Sequence, residues 1–131
     1  MVKFGYTILY VEDVEKAISF YENAFGFSRK FITPDNDYAE LITGETTLSF
    51  ASKKLAGSNL KEGFIESSLE NKPFATELGF ITDEVGDLVQ KATSFGAVLV
   101  SEPKKKPWGQ IVAYVRDPEG FLIEICTPVE M

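Results

Sequence analysis

The chain is 131 residues long, enough for one folding unit with a real core and too short for two independent ones. Its formal charge of -7, from 13 Lys and Arg against 20 Asp and Glu, argues against a nucleic-acid partner, whose phosphates need clustered cations, and favours a cationic ligand over an anionic one. A single cysteine, Cys126, excludes an intrachain disulfide and a cysteine-rich zinc site, and the chain contains no histidine.

From the N-terminus, Lys3 to Val11 alternates like a strand and reads as buried on both faces. Glu12, Asp13 and Glu15 then interrupt the apolar stretch, so neither a signal peptide nor a membrane span is expected, and a soluble cytoplasmic protein is. Asp13 is a plausible N-cap for a helix whose apolar stripe is Val14, Ala17, Ile18, Tyr21, Ala24 and Phe25, closed by Gly26. Strand patterns follow at Ser28–Thr33, Tyr38–Thr43 and Thr46–Ala51, parted by Pro34-Asp35-Asn36-Asp37 and Thr43-Gly44-Glu45. Ser52 to Pro73 shifts to polar residues and reads as a long connection or a short irregular helix.

Beyond it the order repeats. Glu77–Thr82 alternates like a strand, and Val85, Leu88, Val89, Ala92 and Phe95 form a second helical stripe ending at Gly96. Strands recur at Val98–Ser101, Gln110–Arg116 and Phe121–Thr127, the last two joined by an Asp117-Pro118-Glu119-Gly120 turn. The segments starting at Tyr6 and Glu77 share strand, acidic cap and valine in the same order. This predicts an α+β fold: two βαβββ modules (about 1–52 and 75–131, joined by a connection of about 53–74) forming a curled mixed sheet around a cleft, helices outside, in one domain of residues 1–131.

Glu124 lies in an otherwise apolar strand, Phe121 to Cys126, so its carboxylate must face a cleft, a partner or water. The plain alternative is a solvated carboxylate or one bonded to Tyr6. Glu77 should begin the matching strand, and could equally be a surface residue at a strand end. If the two converge, their repulsion raises at least one pKa and offers a general base, which makes Glu77 and Glu124 the candidate catalytic residues. Alternatively they form the negative floor of a pocket walled by Phe4, Tyr6, Phe50, Trp108 and Tyr114, suited to a flat cationic aromatic ligand. Trp108, in a Pro-Trp-Gly turn, is a ligand-stacking ring or a ring covering an edge or a subunit contact. Lys104-Lys105-Lys106 reads as a solvated loop, and Arg116 as a hairpin support paired with a nearby carboxylate. Cys126 reads as a small apolar strand residue, with no histidine to activate it. No Gly-rich phosphate loop, Ser/His/Asp set or Cys/His pair is present.

The repeated βαβββ order, the helix end Phe20-Tyr21-Glu22-Asn23-Ala24-Phe25-Gly26-Phe27 and the run from Pro107-Trp108-Gly109 to Asp117-Pro118-Glu119-Gly120 resemble the glyoxalase/bleomycin-resistance/extradiol dioxygenase superfamily, also called vicinal oxygen chelate. The resemblance spans essentially the whole chain and is greatest to the bleomycin-resistance-like branch. It implies four inward-facing positions, Tyr6, Ser49, Glu77 and Glu124, where metal-dependent members place their ligands. With no histidine a 2-His-1-carboxylate iron site cannot be built, so no metal and no cofactor is expected. What the resemblance implies is a homodimer that sequesters a small aromatic molecule, cationic by preference, through Tyr6, Ser49, Phe50, Glu77, Trp108, Tyr114 and Glu124, as in drug resistance. The alternative is a glyoxalase-like lyase or isomerase with a cleft carboxylate as base. Phe121, where that branch usually has a polar residue, departs from its pattern.

Overall fold

A computed structural model describes residues 1–129. The chain divides into two compact units, Met1–Glu66 and Ser67–Met131. Each holds one mixed four-stranded sheet, and with three helices they make an α+β fold in which neither sheet closes into a barrel.

The first unit comprises β1 (Thr7–Val11), α1 (Val14–Phe25), β2 (Ser28–Ile32), β3 (Tyr38–Ile42), β4 (Thr47–Ser52) and α2 (Lys53–Asn59), with strand order β1-β4-β3-β2. Only β1 and β4 run parallel. α1 begins where the Asp13 carboxylate accepts the Lys16 amide at 3.0 Å and ends where the Gly26 amide donates to the Glu22 carbonyl. Its buried stripe, Val14, Ala17, Ile18, Phe20, Tyr21 and Ala24, follows the 3.6-residue period. It covers the sheet face carrying Leu9, Ala39, Leu41, Leu48 and Phe50, all buried, with the Tyr21 and Phe50 rings 5.1 Å apart. α2 is capped by Ser52, whose hydroxyl accepts the Leu55 amide, so part of the expected connection is a capped helix.

The second unit repeats the plan with β5 (Leu78–Ile81), α3 (Val85–Ser94), β6 (Val98–Lys105), β7 (Ile111–Arg116) and β8 (Leu122–Cys126), ordered β5-β8-β7-β6 with β5 parallel to β8. α3 buries Val85, Val89 and Ala92, and packs across β6, β7 and β8. Its end is a Schellman turn, the Gly96 amide donating to Thr93 and the Ala97 amide to Ala92.

Three expectations change. The first strand starts at Thr7 rather than Lys3, and Val2 and Phe4 are exposed. β1 is an edge strand whose partner β4 begins at Thr47, so residues before Thr7 lack ladder partners. Lys104 and Lys105 are not loop residues, because they pair with Val112 and Ile111 at the end of β6. Arg116 holds backbone carbonyls instead of a carboxylate, Nε donating to Gly120 at 2.9 Å and Nη2 to Ser68 at 2.8 Å. The neighbouring carboxylate, Asp117, is already engaged by the amides of Glu119 and Phe121 in its own turn.

That turn requires its glycine. Gly120 has φ +96, and a Cβ there would lie 2.7 Å from the Ser68 carbonyl carbon. Gly57, inside α2, has open space around it. Gly120→Ala should therefore destabilise the protein by roughly 2 kcal/mol, whereas Gly57→Ala should stabilise it by about 0.5–1 kcal/mol, both read by urea unfolding.

Candidate functional site

Because side chains alternate across a strand and directly paired residues share a face, the ladders determine what stands on the face each helix leaves bare. In the second unit Glu124 of β8 pairs with Tyr114 of β7 on one side and Gly79 of β5 on the other. Glu77 immediately precedes β5, two residues before Gly79 and on its side of the strand. The three functional groups meet: the Tyr114 hydroxyl lies 3.2 Å from Glu124 Oε2 and 3.4 Å from Glu77 Oε1.

A phenol has one proton, so Tyr114 donates to one carboxylate at a time. Among the described residues no Lys or Arg nitrogen lies within 4.0 Å of either acid. Burial and then the Glu124 charge push the Glu77 pKa up, opposed by the hydrogen bond from Tyr114. Tyr114 is pushed up to about 12, first by burial and then by the Glu77 and Glu124 charges, so it stays a donor at neutral pH. Burial, with Glu124 next, raises the Cys126 thiol to about 11, which leaves it a poor nucleophile.

The first unit gives the counterpart. By register Ser49 matches Glu124, Ile8 matches Gly79, and Glu40 matches Tyr114, so Tyr6 matches Glu77. Here the acid is satisfied: Glu40 accepts from the Tyr38 hydroxyl at 2.8 Å and pairs with Lys30 at 3.6 Å. Tyr38 is raised to about 12, chiefly by burial, with Ser49 acting in the opposite direction and Glu40 adding to the rise. Ser49 is fully buried and its Oγ makes no hydrogen bond of ordinary geometry with any described residue, although it is near enough to Tyr38 to favour the phenolate.

Of the residues expected in a site, the structure brings Glu77, Tyr114 and Glu124 together. Tyr6 is half-exposed just before β1, and Phe4 is exposed. Phe50 is not on the bare face: it is one residue from Ser49, hence on the opposite side of β4, fully buried against Tyr21. Trp108 is 62% exposed in the β6–β7 hairpin, its Nε1 donating to Gln110 Oε1, and no hydrogen bond or ring contact links it to Tyr114. Gly79, Tyr38, Glu40 and Lys30 were not among the expected site residues. An isolated glycine inside a strand pattern was the available signal for Gly79.

Two βαβββ units with matching ladders define a duplicated-module protein of the glyoxalase type. The sequence model of the Glyoxalase/Bleomycin resistance protein/Dioxygenase superfamily matches residues 3–125, and the chain belongs to that superfamily. It is 28% identical to virulence protein STM3117 of Salmonella typhimurium over 127 residues, 94% of this chain and 82% of that protein. It is 26% identical to lactoylglutathione lyase GLX1 of Arabidopsis thaliana over 94% of its own length, and spans only 43% of that protein. In fold it resembles the crystal structure of a glyoxalase-related enzyme from Fulvimarina pelagi, with a TM-score of 0.82, 20% identity, and 98% and 89% of the two chains covered.

At the four positions that the family resemblance implies for metal ligands, Tyr6, Ser49, Glu77 and Glu124, the residue types do not match a histidine-based set. Tyr6 and Ser49 are neutral hydroxyls, the chain has no histidine, and no group of three or more His, Cys, Asp or Glu among the described residues could hold an ion.

A carboxyl whose folded pKa is raised binds protons more tightly in the native state, so it lowers stability as pH climbs above its ordinary value of 4.5. Glu77→Gln removes that cost. Unfolding in urea at pH 4 and pH 8 should show the variant gaining on the wild type at the higher pH.

Proposed function

We propose that this protein binds a small, flat, cationic aromatic molecule at the Glu77–Tyr114–Glu124 cluster, without a metal ion, and holds it unchanged. One observation carries the reading: two carboxylates share a single phenol proton and have no Lys or Arg partner among the described residues, while Glu40 in the first unit has both a phenol and Lys30. A pair of acids, Glu124 part-buried and Glu77 exposed, sharing one phenol is stabilised by an added cation bearing N–H groups. Tyr114, at the cluster itself, offers an aromatic face to such a cation.

A second reading has its own support. The raised pKa of Glu77 suits a proton acceptor for a carbon acid, as a glyoxalase-like lyase or isomerase requires, with Tyr114 donating to Glu124 when Glu77 acts as base. The protein works in the cytoplasm as a homodimer on our reading. Dimers are frequent in the superfamily, and no described helix is long and apolar enough to cross a membrane.

Calorimetry with proflavine, a flat aromatic cation, and 9-anthracenecarboxylate, a flat anion, tests the proposal. Proflavine should saturate one site per chain and be recovered unchanged, with Glu124→Gln weakening it about tenfold or more. Equal binding of the anion would sink the cation reading. Exchange of many equivalents of carbon-bound proton from a carbon acid in heavy water, lost in Glu77→Gln, would establish the general-base reading in its place.

A further inference from the structure

Gly79 occupies a position where nothing in the fold calls for glycine. β5 has four residues and lies at the edge of its sheet, and a glycine within a strand costs about 0.5–1 kcal/mol relative to alanine because its unfolded chain is freer. Such a cost is commonly offset by an unusual backbone conformation or by a close approach of something to the backbone. The first does not apply, since Gly79 is not among the residues with positive φ. Crowding within the protein does not apply either. A Cβ added at Gly79 would meet only Glu124 Oε1, at 3.8 Å, an ordinary van der Waals contact. Gly120 is the contrast, needing glycine on both counts.

The internal repeat shows what the architecture tolerates. At the register-equivalent place in the first unit stands Ile8, paired with Ser49 as Gly79 is paired with Glu124. A branched side chain therefore fits this ladder position, and the second unit leaves it bare. What remains open is a strip of exposed peptide with Glu77 two residues before it, Ile81 two residues after it and Glu124 directly across.

We propose that Gly79 determines ligand shape at this site: a planar ring lies flat on the bare β5 peptide, its edge turned to the Glu77 and Glu124 carboxylates and flanked by Ile81. This rests on the cation-binding reading given above and adds to it the surface on which the planar ring lies and the residue that keeps that surface open. A flat ring reaches its dispersion optimum at about 3.5–4.0 Å from the peptide atoms, and a methyl at Gly79 would occupy that layer. N–H groups at the rim lie in the ring plane, pointing at the acids, and can make charge-assisted hydrogen bonds to the oxygens that Tyr114 does not serve.

The test is proflavine titration of the wild type, Gly79→Ala, Gly79→Val and Glu124→Gln, each with its melting temperature. Gly79→Val should weaken proflavine by at least about tenfold, and Gly79→Ala by a smaller factor. Both should melt at or above the wild-type temperature, because valine and alanine suit a strand position with room for a Cβ better than glycine. Undiminished proflavine affinity in Gly79→Ala and Gly79→Val, with Glu124→Gln still weakened, overturns the role of Gly79 and leaves the cation site standing. A wild type that does not bind proflavine removes both. Should the valine variant fail to fold, the alanine variant, whose added carbon meets only an ordinary contact, decides the matter alone.

Discussion

A β-strand presents alternate side chains to opposite faces, and in each unit of this protein one long helix lies over one face of the sheet. α1 covers Leu9, Leu41 and Phe50, and α3 covers the face of Ile123 and Ile125. Every other feature of the site follows from that. Moving one residue along β4 passes from Phe50 in the core to Ser49 on the other face, and one step along β8 passes from Ile125 to Glu124. A register slip of a single residue would bury the acids and expose the core, so the hydrophobic packing that stabilises each sheet also fixes which polar groups share its second face.

The two units use the same plan to different ends. In the first, the acid on the bare face comes with its own phenol and its own lysine. In the second, two acids converge on one phenol, and burial, with the neighbouring carboxylate charges adding to it, raises Glu77 and Tyr114 together. An unpaired acid that is partly removed from water carries a standing cost, and such costs are found where a ligand offsets them. The superfamily fold accommodates many chemistries, so the particular side chains on this face, rather than the fold, direct attention to a cation.

Much of the architecture was legible along the chain. The Asp13 cap, the stripe from Val14 to Ala24, the Gly26 and Gly96 helix ends and the Asp117-Pro118-Glu119-Gly120 turn are local signals, each set by residues within one or two turns of one another. Errors arose where a neighbour in space decided. Lys3 to Tyr6 alternates like a strand and yet lacks a partner. Lys104 and Lys105 look like loop residues and are held in a ladder by β7, while Arg116 found carbonyls because Asp117 was already occupied.

The sequence by itself determined the order of elements, their apolar faces, the duplication and the absence of any histidine-based chemistry, because these depend on residue type and short-range spacing. Only the tertiary structure decided that Tyr114 stands between Glu77, 37 residues away, and Glu124, 10 residues away, that Phe50 belongs to the core, and that Gly79 leaves an opening beside an acid. Those facts depend on strand register and on the bare face of a sheet, which exist only once distant strands have paired.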